Sequence, residues 1–129
     1  MKTASDVMTK HVVDIEPEAT VAEAIEKMKQ WNVTSLLVGR QGTTDTWGFM
    51  TQTDVIEKVV AEGNDPEEIR VHEIMTKPVM TVAPEMDIRY CARLFEQFGL
   101  SRAPVEEGGK IIGIVSLTDM VLKGLCQNL

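Results

Sequence analysis

The segment VMTKHVVDIEPEA at residues 7–19 recurs as IMTKPVMTVAPEM at residues 74–86. The offset of 67 positions (7 to 74) places Met8, Thr9, Lys10, Val12, Pro17 and Glu18 on identical residues of the second segment. Self-similarity at a fixed spacing is typical of a supersecondary unit that occurs more than once in a chain. This segment therefore predicts a fold that is built from two copies of one unit.

A second recurring segment supports the repeat. The first motif, GFMTQTD at residues 48–54, returns as the second motif, GIVSLTD at residues 113–119. Its offset is 65 positions (48 to 113), so the first copy holds two extra residues in the loop before the motif. We place the first copy at residues 1–63 and the second copy at residues 64–129.

In each copy, the pattern of an amphipathic helix follows a proline, Pro17 or Pro84. A cap residue, Thr20 or Asp87, precedes apolar residues at positions i, i+3, i+4 and i+7, and in the first copy Thr20 forms a predicted capping box with Glu23. Asn32 and Gly99 are expected to end these helices because both tolerate a left-handed backbone. The predicted buried faces are Val21, Ala24, Ile25 and Met28, and Ile88, Cys91, Ala92 and Phe95.

Short apolar runs separated by glycine-containing turns follow each helix and predict β-hairpins. The runs are residues 35–38 and 47–50 in the first copy, and 103–105 and 111–115 in the second. A last helix is expected near Thr51 and near Ser116. The fold class is therefore α/β (α+β), with two β-α-β-β-α units. A unit of about 55 residues is marginal alone, so we expect the units to pack through their sheets with pseudo-twofold symmetry.

Composition excludes several classes of function. Thirteen Lys and Arg against twenty Asp and Glu give a formal charge of -7, which disfavours nucleic acid and anionic membranes as partners. No apolar run is long enough to cross a bilayer, and the first residues lack a signal peptide, so we expect a cytoplasmic protein. Cys91, Cys126, His11 and His72 show no metal-ligand spacing, and we predict no metal site, no catalytic residue and a core position for Cys91.

The two motifs place a hydroxyl and a carboxylate at a predicted strand-to-helix junction. A helix start suits phosphate, a carboxylate can accept the hydroxyl groups of a ribose, and glycine lets a ligand approach the backbone. The same Ser/Thr-x-x-Asp pattern is also an ordinary helix cap that needs no ligand. A third interpretation, a small hydrolase or transferase with Asp54 and Asp119 as acid and base, lacks an accompanying nucleophile.

The whole pattern resembles a tandem pair of CBS domains, the module named after cystathionine β-synthase. The resemblance covers the chain from about Ser5 to Lys123. It rests on the VMT start, on Pro17 and Pro84, on the run SRAPV at residues 101–105 and on the two motifs. It implies a non-catalytic, stand-alone Bateman module that requires no cofactor and binds AMP, ADP, ATP or S-adenosylmethionine in clefts between the copies.

The resemblance also implies which residues bind the ligand. One cleft would combine Thr51 and Asp54 with Val79, Met80 and Arg102, and the other would combine Ser116 and Asp119 with Val12, Val13 and Ser35. The aspartates would hold ribose hydroxyls, and Arg102 would donate to phosphate. We further expect a homodimer and a separate regulated protein as the target. The alternative is a structural homodimerisation module whose clefts are degenerate and unoccupied.

Overall fold

The computed structural model describes residues 2–125 of the chain. It divides into two compact units, which we call the continuous unit, Val13–Val79, and the split unit, Met1–Val12 with Met80–Leu129. These structural units do not coincide with the two copies in the sequence. The first residues of copy one belong to the split unit, and residues 64–79 of copy two belong to the continuous unit.

The elements are those of a mixed α/β protein, which confirms the predicted fold class. The helices are α1 (Ala4–Val7), α2 (Val21–Trp31), α3 (Gln52–Val55), α4 (Val71–Ile74), α5 (Ile88–Phe98) and α6 (Leu117–Leu122). Helix α3 continues into a π-helical turn at Ile56–Val60. The strands are β1 (Asp14–Ile15), β2 (Ser35–Val38), β3 (Gly48–Thr51), β4 (Arg102–Glu107) and β5 (Lys110–Ser116).

Helices α2 and α5 begin and end where the sequence predicts. The side chains of Thr20 and Asp87 each accept a hydrogen bond from an amide in the first helical turn. The helices end at Asn32, with φ 53°, and at Gly99, with φ 64°, both in the left-handed region. Equivalent caps at both ends explain why the two helices have the same length.

Two details of these helices differ from the prediction. Thr20 accepts from the Glu23 amide, but among the described residues the reciprocal bond from the Thr20 amide to the Glu23 carboxylate is absent. In α5, Ala92 is exposed, whereas Leu94 packs against the core beside Phe95. A helix turns about 100° per residue, which places Ala92 and Leu94 at opposite edges of the face centred on Cys91 and Phe95. The longer Leu94 side chain reaches the core from its edge, whereas the alanine methyl group does not. The prediction that Ala92 is buried was wrong.

The predicted hairpins form one small sheet in each unit. In the continuous unit the strand order is β1-β2-β3, with β1 parallel and β3 antiparallel to β2. In the split unit β4 pairs with β5 antiparallel, and Val82 forms a parallel bridge to Val105. This bridge occupies the place that β1 has in the other unit. In each hairpin the motif begins in the last strand, β3 or β5, and continues into the helix that follows.

Each unit has its own cluster of buried apolar side chains. The cluster of the continuous unit comprises Val13, Val21, Ala24, Met28, Leu36, Val38, Met50, Val55, Val59, Val71 and Ile74. The cluster of the split unit comprises Ala4, Val7, Val82, Cys91, Phe95, Ala103, Val105, Val115 and Met120. Burial raises the pKa of the Cys91 thiol, which keeps it protonated and confirms its predicted core position.

Helix α1 was not predicted, although its capping signal is present in the sequence. The Thr3 amide donates to Asp6 Oδ2 at 2.9 Å, and Ala4 and Val7 are fully buried in the core of the split unit. The Ala4 amide also donates to the Met86 carbonyl at 2.8 Å. These contacts hold the N-terminal segment in the split unit.

Within residues 2–125, no helix is both long enough and apolar enough to span a membrane. Cys126 lies outside the described residues.

Candidate ligand-binding site

The first motif forms a reciprocal helix cap where β3 passes into α3. The Thr51 amide donates to Asp54 Oδ2 at 2.9 Å, and the Asp54 amide donates to Thr51 Oγ1 at 3.3 Å. The hydroxyl of Thr51 lies 3.2 Å from the same Oδ2 atom, and the Asp54 side chain is 13% exposed. The interpretation of this pattern as a capping box is therefore correct. It fixes one carboxylate oxygen and leaves Oδ1 outside the cap.

The second motif uses different partners for its carboxylate. Asp119 Oδ2 accepts from Ser116 Oγ at 3.0 Å and from Thr9 Oγ1 at 3.4 Å, while the Asp119 amide donates to Ser116 Oγ at 3.1 Å. Within residues 2–125, the reciprocal bond from the Ser116 amide is absent. A hydroxyl from the N-terminal segment thus takes the place that a backbone amide has in the first motif.

A lysine one helical turn beyond each aspartate lies at the remaining oxygen. Lys58 Nζ is 3.6 Å from Asp54 Oδ1, and Lys123 Nζ is 3.2 Å from Asp119 Oδ1. Lys58 also donates to the Ile74 carbonyl at 2.8 Å. The lysines were not predicted, but the repeat contains the signal. The offset of 65 that carries Asp54 to Asp119 also carries Lys58 to Lys123.

The motif glycines make room for neighbouring atoms of the protein itself, and that they also let a ligand approach the backbone stays a prediction. A Cβ atom on Gly113 would lie 2.5 Å from Met8 Sδ and 3.0 Å from the Thr9 carbonyl oxygen. A Cβ atom on Gly48 would lie 2.8 Å from Met75 Sδ. Real Cβ atoms do not approach neighbours this closely. The methionine of each Met-Thr-Lys segment fills the space that the glycine leaves.

The amides at the start of α3 are largely paired already. The Gln52 amide donates to the Thr34 carbonyl at 3.0 Å, and the Asp54 amide donates to the Thr51 hydroxyl. The same two contacts occur at the start of α6. We predicted that amides at these helix starts bind a phosphate. Few of those amides are free to do so, because most already donate within the protein. The carboxylates, their lysines and the exposed Thr53 and Thr118 remain for recognition.

Two polar candidates lie opposite the motif of their own unit. Ser35 is buried and pairs with Thr51 across β2 and β3, while Arg102 pairs with Ser116 across β4 and β5. Burial lowers the pKa of Arg102 below its ordinary value, against the opposite influence of the Asp119 charge. The resemblance assigns each of these two residues to the motif of the other unit, and those assignments stay predictions.

The apolar candidates follow the two Met-Thr-Lys segments. The Val79 amide donates to the Trp47 carbonyl at 3.0 Å, inside the unit that holds the first motif. Val12 and Met80 are half-buried in the split unit, and Val13 belongs to the core of the continuous unit. Val79 thus shares a unit with the first motif, and Val12 shares a unit with the second.

The loop between β2 and β3 is fixed by Asp45. The Asp45 carboxylate accepts from the Gln41 amide at 2.8 Å and from Lys77 Nζ at 2.9 Å. The Gln41 amide contributes most, followed by Lys77, to lowering the pKa of Asp45 from 3.8 to about 2. The Arg40 guanidinium lies 4.8 Å from the centre of the Trp47 ring. The shorter loop of the second copy has no counterpart of Asp45.

A metal centre and a separate cavity are two other kinds of site that residues 2–125 could form. In the part of the chain that the structure describes, no group of three or more His, Cys, Asp or Glu residues is arranged to hold a metal ion. A cavity of about 460 Å³ in the continuous unit is lined by α2 residues and Ile15. It contains no residue of either motif and none of the predicted ligand-binding residues.

Comparison with known proteins identifies the same two regions. The profile of the CBS domain family matches the chain at residues 4–61 and again at residues 71–124. The CBS domain-containing protein YhcV of Bacillus subtilis is 30% identical over 128 residues, which cover 99% of this chain and 89% of that protein. The uncharacterized protein MK0525 of Methanopyrus kandleri is 30% identical over 120 residues. This chain spans 61% of the Methanopyrus relative's length, with 92% of the chain covered.

A solved structure shares the fold over almost the entire chain. It is that of a hexameric CBS-CP12 protein from bloom-forming cyanobacteria, with a TM-score of 0.93 and 42% sequence identity. The match covers 95% of this chain and 71% of the cyanobacterial one. The arrangement of elements in each unit is therefore one that is already known from experiment.

Proposed function

Because this chain belongs to the CBS domain family, we propose that it is a regulatory module that binds an adenosyl ligand and catalyses no reaction. The candidate ligands are AMP, ADP, ATP and S-adenosylmethionine, and the module needs no cofactor. The ligand is bound at the two motifs. Occupancy changes the module's affinity for a separate regulated protein, which requires that the ligand bind two states of the module unequally.

The observation that carries this proposal is the fixed aspartate in each motif. One carboxylate oxygen is held by the helix cap, and the other pairs with a half-exposed lysine side chain. An ionised carboxylate accepts hydrogen bonds and donates none, so it suits a ligand that presents hydroxyl groups. Because the cap fixes its orientation beforehand, binding costs little side-chain entropy. The vicinal hydroxyls of a ribose fit these requirements.

We assign the remaining contacts with the ligand separately in each unit. In the continuous unit, Asp54 holds the ribose, Thr51 contacts the ribose or a phosphate, and the backbone near Val79 meets the edge of the adenine. In the split unit, Asp119 and Ser116 take the same roles, and the backbone near Val12 meets the adenine. Lys58 and Lys123 are close enough to their aspartates to bond a ligand oxygen at the same place.

The hydroxyl groups of the motifs support a binding role over a catalytic one. The Thr51 hydroxyl accepts from the Asp54 amide and lies within hydrogen-bond distance of the Asp54 carboxylate, so its donor and acceptor functions both serve the helix cap. The Ser116 hydroxyl is engaged in the same way. Each hydroxyl keeps one lone pair, which can accept a hydrogen bond from a hydroxyl group of the ligand. The helix cap fixes the position of both hydroxyls, so we assign them a contact role and no nucleophilic one.

A structural homodimerisation module is the second candidate, because apolar side chains are exposed on the last helix of each copy. They are Ile56 (57% exposed) and Val60 (63%) in the continuous unit, and Val121 (55%) and Leu122 (52%) in the split unit. Exposed apolar groups of this kind favour association. This candidate predicts a dimer that binds no nucleotide at either motif.

Isothermal titration of the purified protein with AMP, ADP, ATP and S-adenosylmethionine tests the proposal. The variants are Asp54→Asn and Asp119→Asn, because asparagine keeps an oxygen for the helix cap and removes only the charge. Loss of a charge-assisted hydrogen bond of about 1.5–3 kcal/mol is expected to weaken binding at the altered motif by roughly 10- to 100-fold. Asp65→Asn, an exposed aspartate outside both motifs, is the matched control and leaves the affinity unchanged.

Two results would contradict the proposal. Absence of heat with all four compounds would favour the homodimerisation module, and sedimentation would then find a dimer. Saturable binding that survives both motif substitutions would place the ligand elsewhere. Hydrolysis of any of the four compounds by the purified protein would overturn the non-catalytic assignment.

A further inference from the structure

The longer β2–β3 loop of the first copy is joined to the segment 76–79. Asp45 and Lys77 form an ion pair at 2.9 Å, and two residues further along both segments the Val79 amide bonds to the Trp47 carbonyl. Beyond these contacts, Phe49 and the segment's Thr76 exchange two backbone hydrogen bonds. The segment 76–79 is thus held along its whole length by residues 45–49.

The ion pair between Asp45 and Lys77 is partly shielded from water and has a third partner. The Asp45 side chain is 25% exposed and the Lys77 side chain 31% exposed, and the Gln41 amide fixes the carboxylate from the other side. Ion pairs contribute most when geometry is fixed and water is partly excluded. The low pKa of Asp45 agrees with this, because it results from the Gln41 amide and Lys77 stabilising the ionised carboxylate.

We infer that Asp45 is a positioning residue for adenosyl binding at the first motif. Through Lys77 and Trp47 it holds the Val79 backbone where the adenine edge is to bind, so the first site is formed before the ligand arrives. The inference rests on the proposed function, which supplies the role of Val79. A ligand phosphate cannot recruit Lys77 without breaking this pair. The second copy lacks the loop residue, so its site has no equivalent device.

Tryptophan fluorescence allows this inference to be measured directly. The chain contains two tryptophans, and Trp31 is half-exposed at the end of α2. In a Trp31→Phe, Asp119→Asn background, Trp47 is the sole tryptophan and only the first motif retains its aspartate. The variants Asp45→Asn, Lys77→Met and the double substitution are compared in this background. Lys77→Arg is the conservative variant, and Asp65→Asn is the control for the charge change.

Two readouts are recorded for each protein: acrylamide quenching of Trp47 without ligand, and the affinity for AMP by calorimetry. Asp45→Asn and Lys77→Met are each expected to increase the quenching of Trp47 and to weaken AMP binding by about two- to fivefold, the range of a well-ordered ion pair. The double variant is expected to resemble either single variant because the two residues act as one pair. Lys77→Arg keeps the positive charge, so its quenching and its AMP affinity are expected to equal those of the background protein. Asp65→Asn is expected to change neither quantity.

The outcomes separate the inference from the proposed function. Unchanged quenching and unchanged AMP affinity in Asp45→Asn would overturn the positioning role while the function stands. Increased quenching with unchanged affinity would also overturn it, because the loop would then be structural only. If the background protein does not bind AMP but its Asp119-containing parent does, the first motif is not a site, and the inference fails with that part of the function.

Discussion

The two motifs share their glycine, their cap hydroxyl and their aspartate, yet they differ in what holds the aspartate. Asp54 is locked by a reciprocal cap with the Thr51 amide, whereas Asp119 is held by two hydroxyls, those of Ser116 and Thr9. The Thr9 contact comes from the N-terminal segment of the chain. A duplicated motif therefore reproduces the turn, while the contacts of the carboxylate depend on which segment lies beside it.

The two carboxylates therefore differ in how firmly they are held. A bond from the peptide backbone moves only with the strand, whereas a bond from a threonine hydroxyl is lost when the side chain rotates. The Thr9 contact is also long, at 3.4 Å, and exposed. The first motif is thus the more firmly preorganised, and its aspartate is the better fixed of the two.

The largest difference between the copies is expected at the motif glycines. Gly113→Ala places a methyl group against Met8 and the Thr9 backbone, and overpacking of this kind costs about 1–3 kcal/mol. Gly48→Ala meets the flexible end of Met75, and the loss is expected to be about 1 kcal/mol or less, since alanine also reduces the entropy of the unfolded chain. Urea unfolding of the two variants measures the difference. Equal losses would show that the two glycines pack alike.

The caps provide a second and smaller comparison. Thr51→Ala removes a hydroxyl from a reciprocal cap and is expected to cost about 1–2 kcal/mol, while Ser116→Ala removes a one-way cap and is expected to cost about 0.5–1 kcal/mol. Thr51→Ser and Ser116→Thr keep the hydroxyl and serve as controls. Thermal or urea unfolding is the measurement. A greater loss in Ser116→Ala would reverse the order of rigidity that we assign.

The smallest effect concerns the loop that distinguishes the first copy. The folded pKa of Asp45, about 2, is below its ordinary value of 3.8, so the charged form stabilises the fold above about pH 4. This contribution is lost as the pH falls from about 4 to about 2. Asp45→Asn lacks it from the start, and its free energy of unfolding is expected to fall less steeply in that window.

Urea midpoints at several pH values between about 6 and 2 measure this slope for both proteins. Asp6 and Asp87 also have lowered pKa values, and both proteins share their contribution. If the free energy of unfolding falls with pH in parallel for the parent and Asp45→Asn, the ionised carboxylate adds nothing to stability through Gln41 or Lys77.

Much of the fold could be predicted because local patterns determine it. The caps Thr20 and Asp87 and the left-handed ends Asn32 and Gly99 depend on nearby atoms, so the sequence places both long helices correctly. Ala92 was misplaced because a 3.6-residue period leaves the edge of a helix face ambiguous for a small side chain. The packing of the two units against each other stays a prediction.

The candidate site was only partly predictable for a physical reason. The residue types of the motifs are visible in the sequence, but the partners of Asp119 include Thr9, which is far away in the chain. The packing role of Gly113 depends on Met8, again from that distant segment. Lys58 and Lys123, by contrast, lie one helical turn from their aspartates and could have been found by extending the repeat.

The division into a continuous and a split unit also bears on how the chain folds during synthesis. The continuous unit, Val13–Val79, can complete its core as soon as its own residues have emerged from the ribosome. Ala4 and Val7 must stay uncovered until the strands and helix around Cys91 and Val105 have been made. Contacts between such distant segments form slowly because a long loop must close first. The order of translation thus favours the continuous unit, whose residues are all available before those of the split unit are complete.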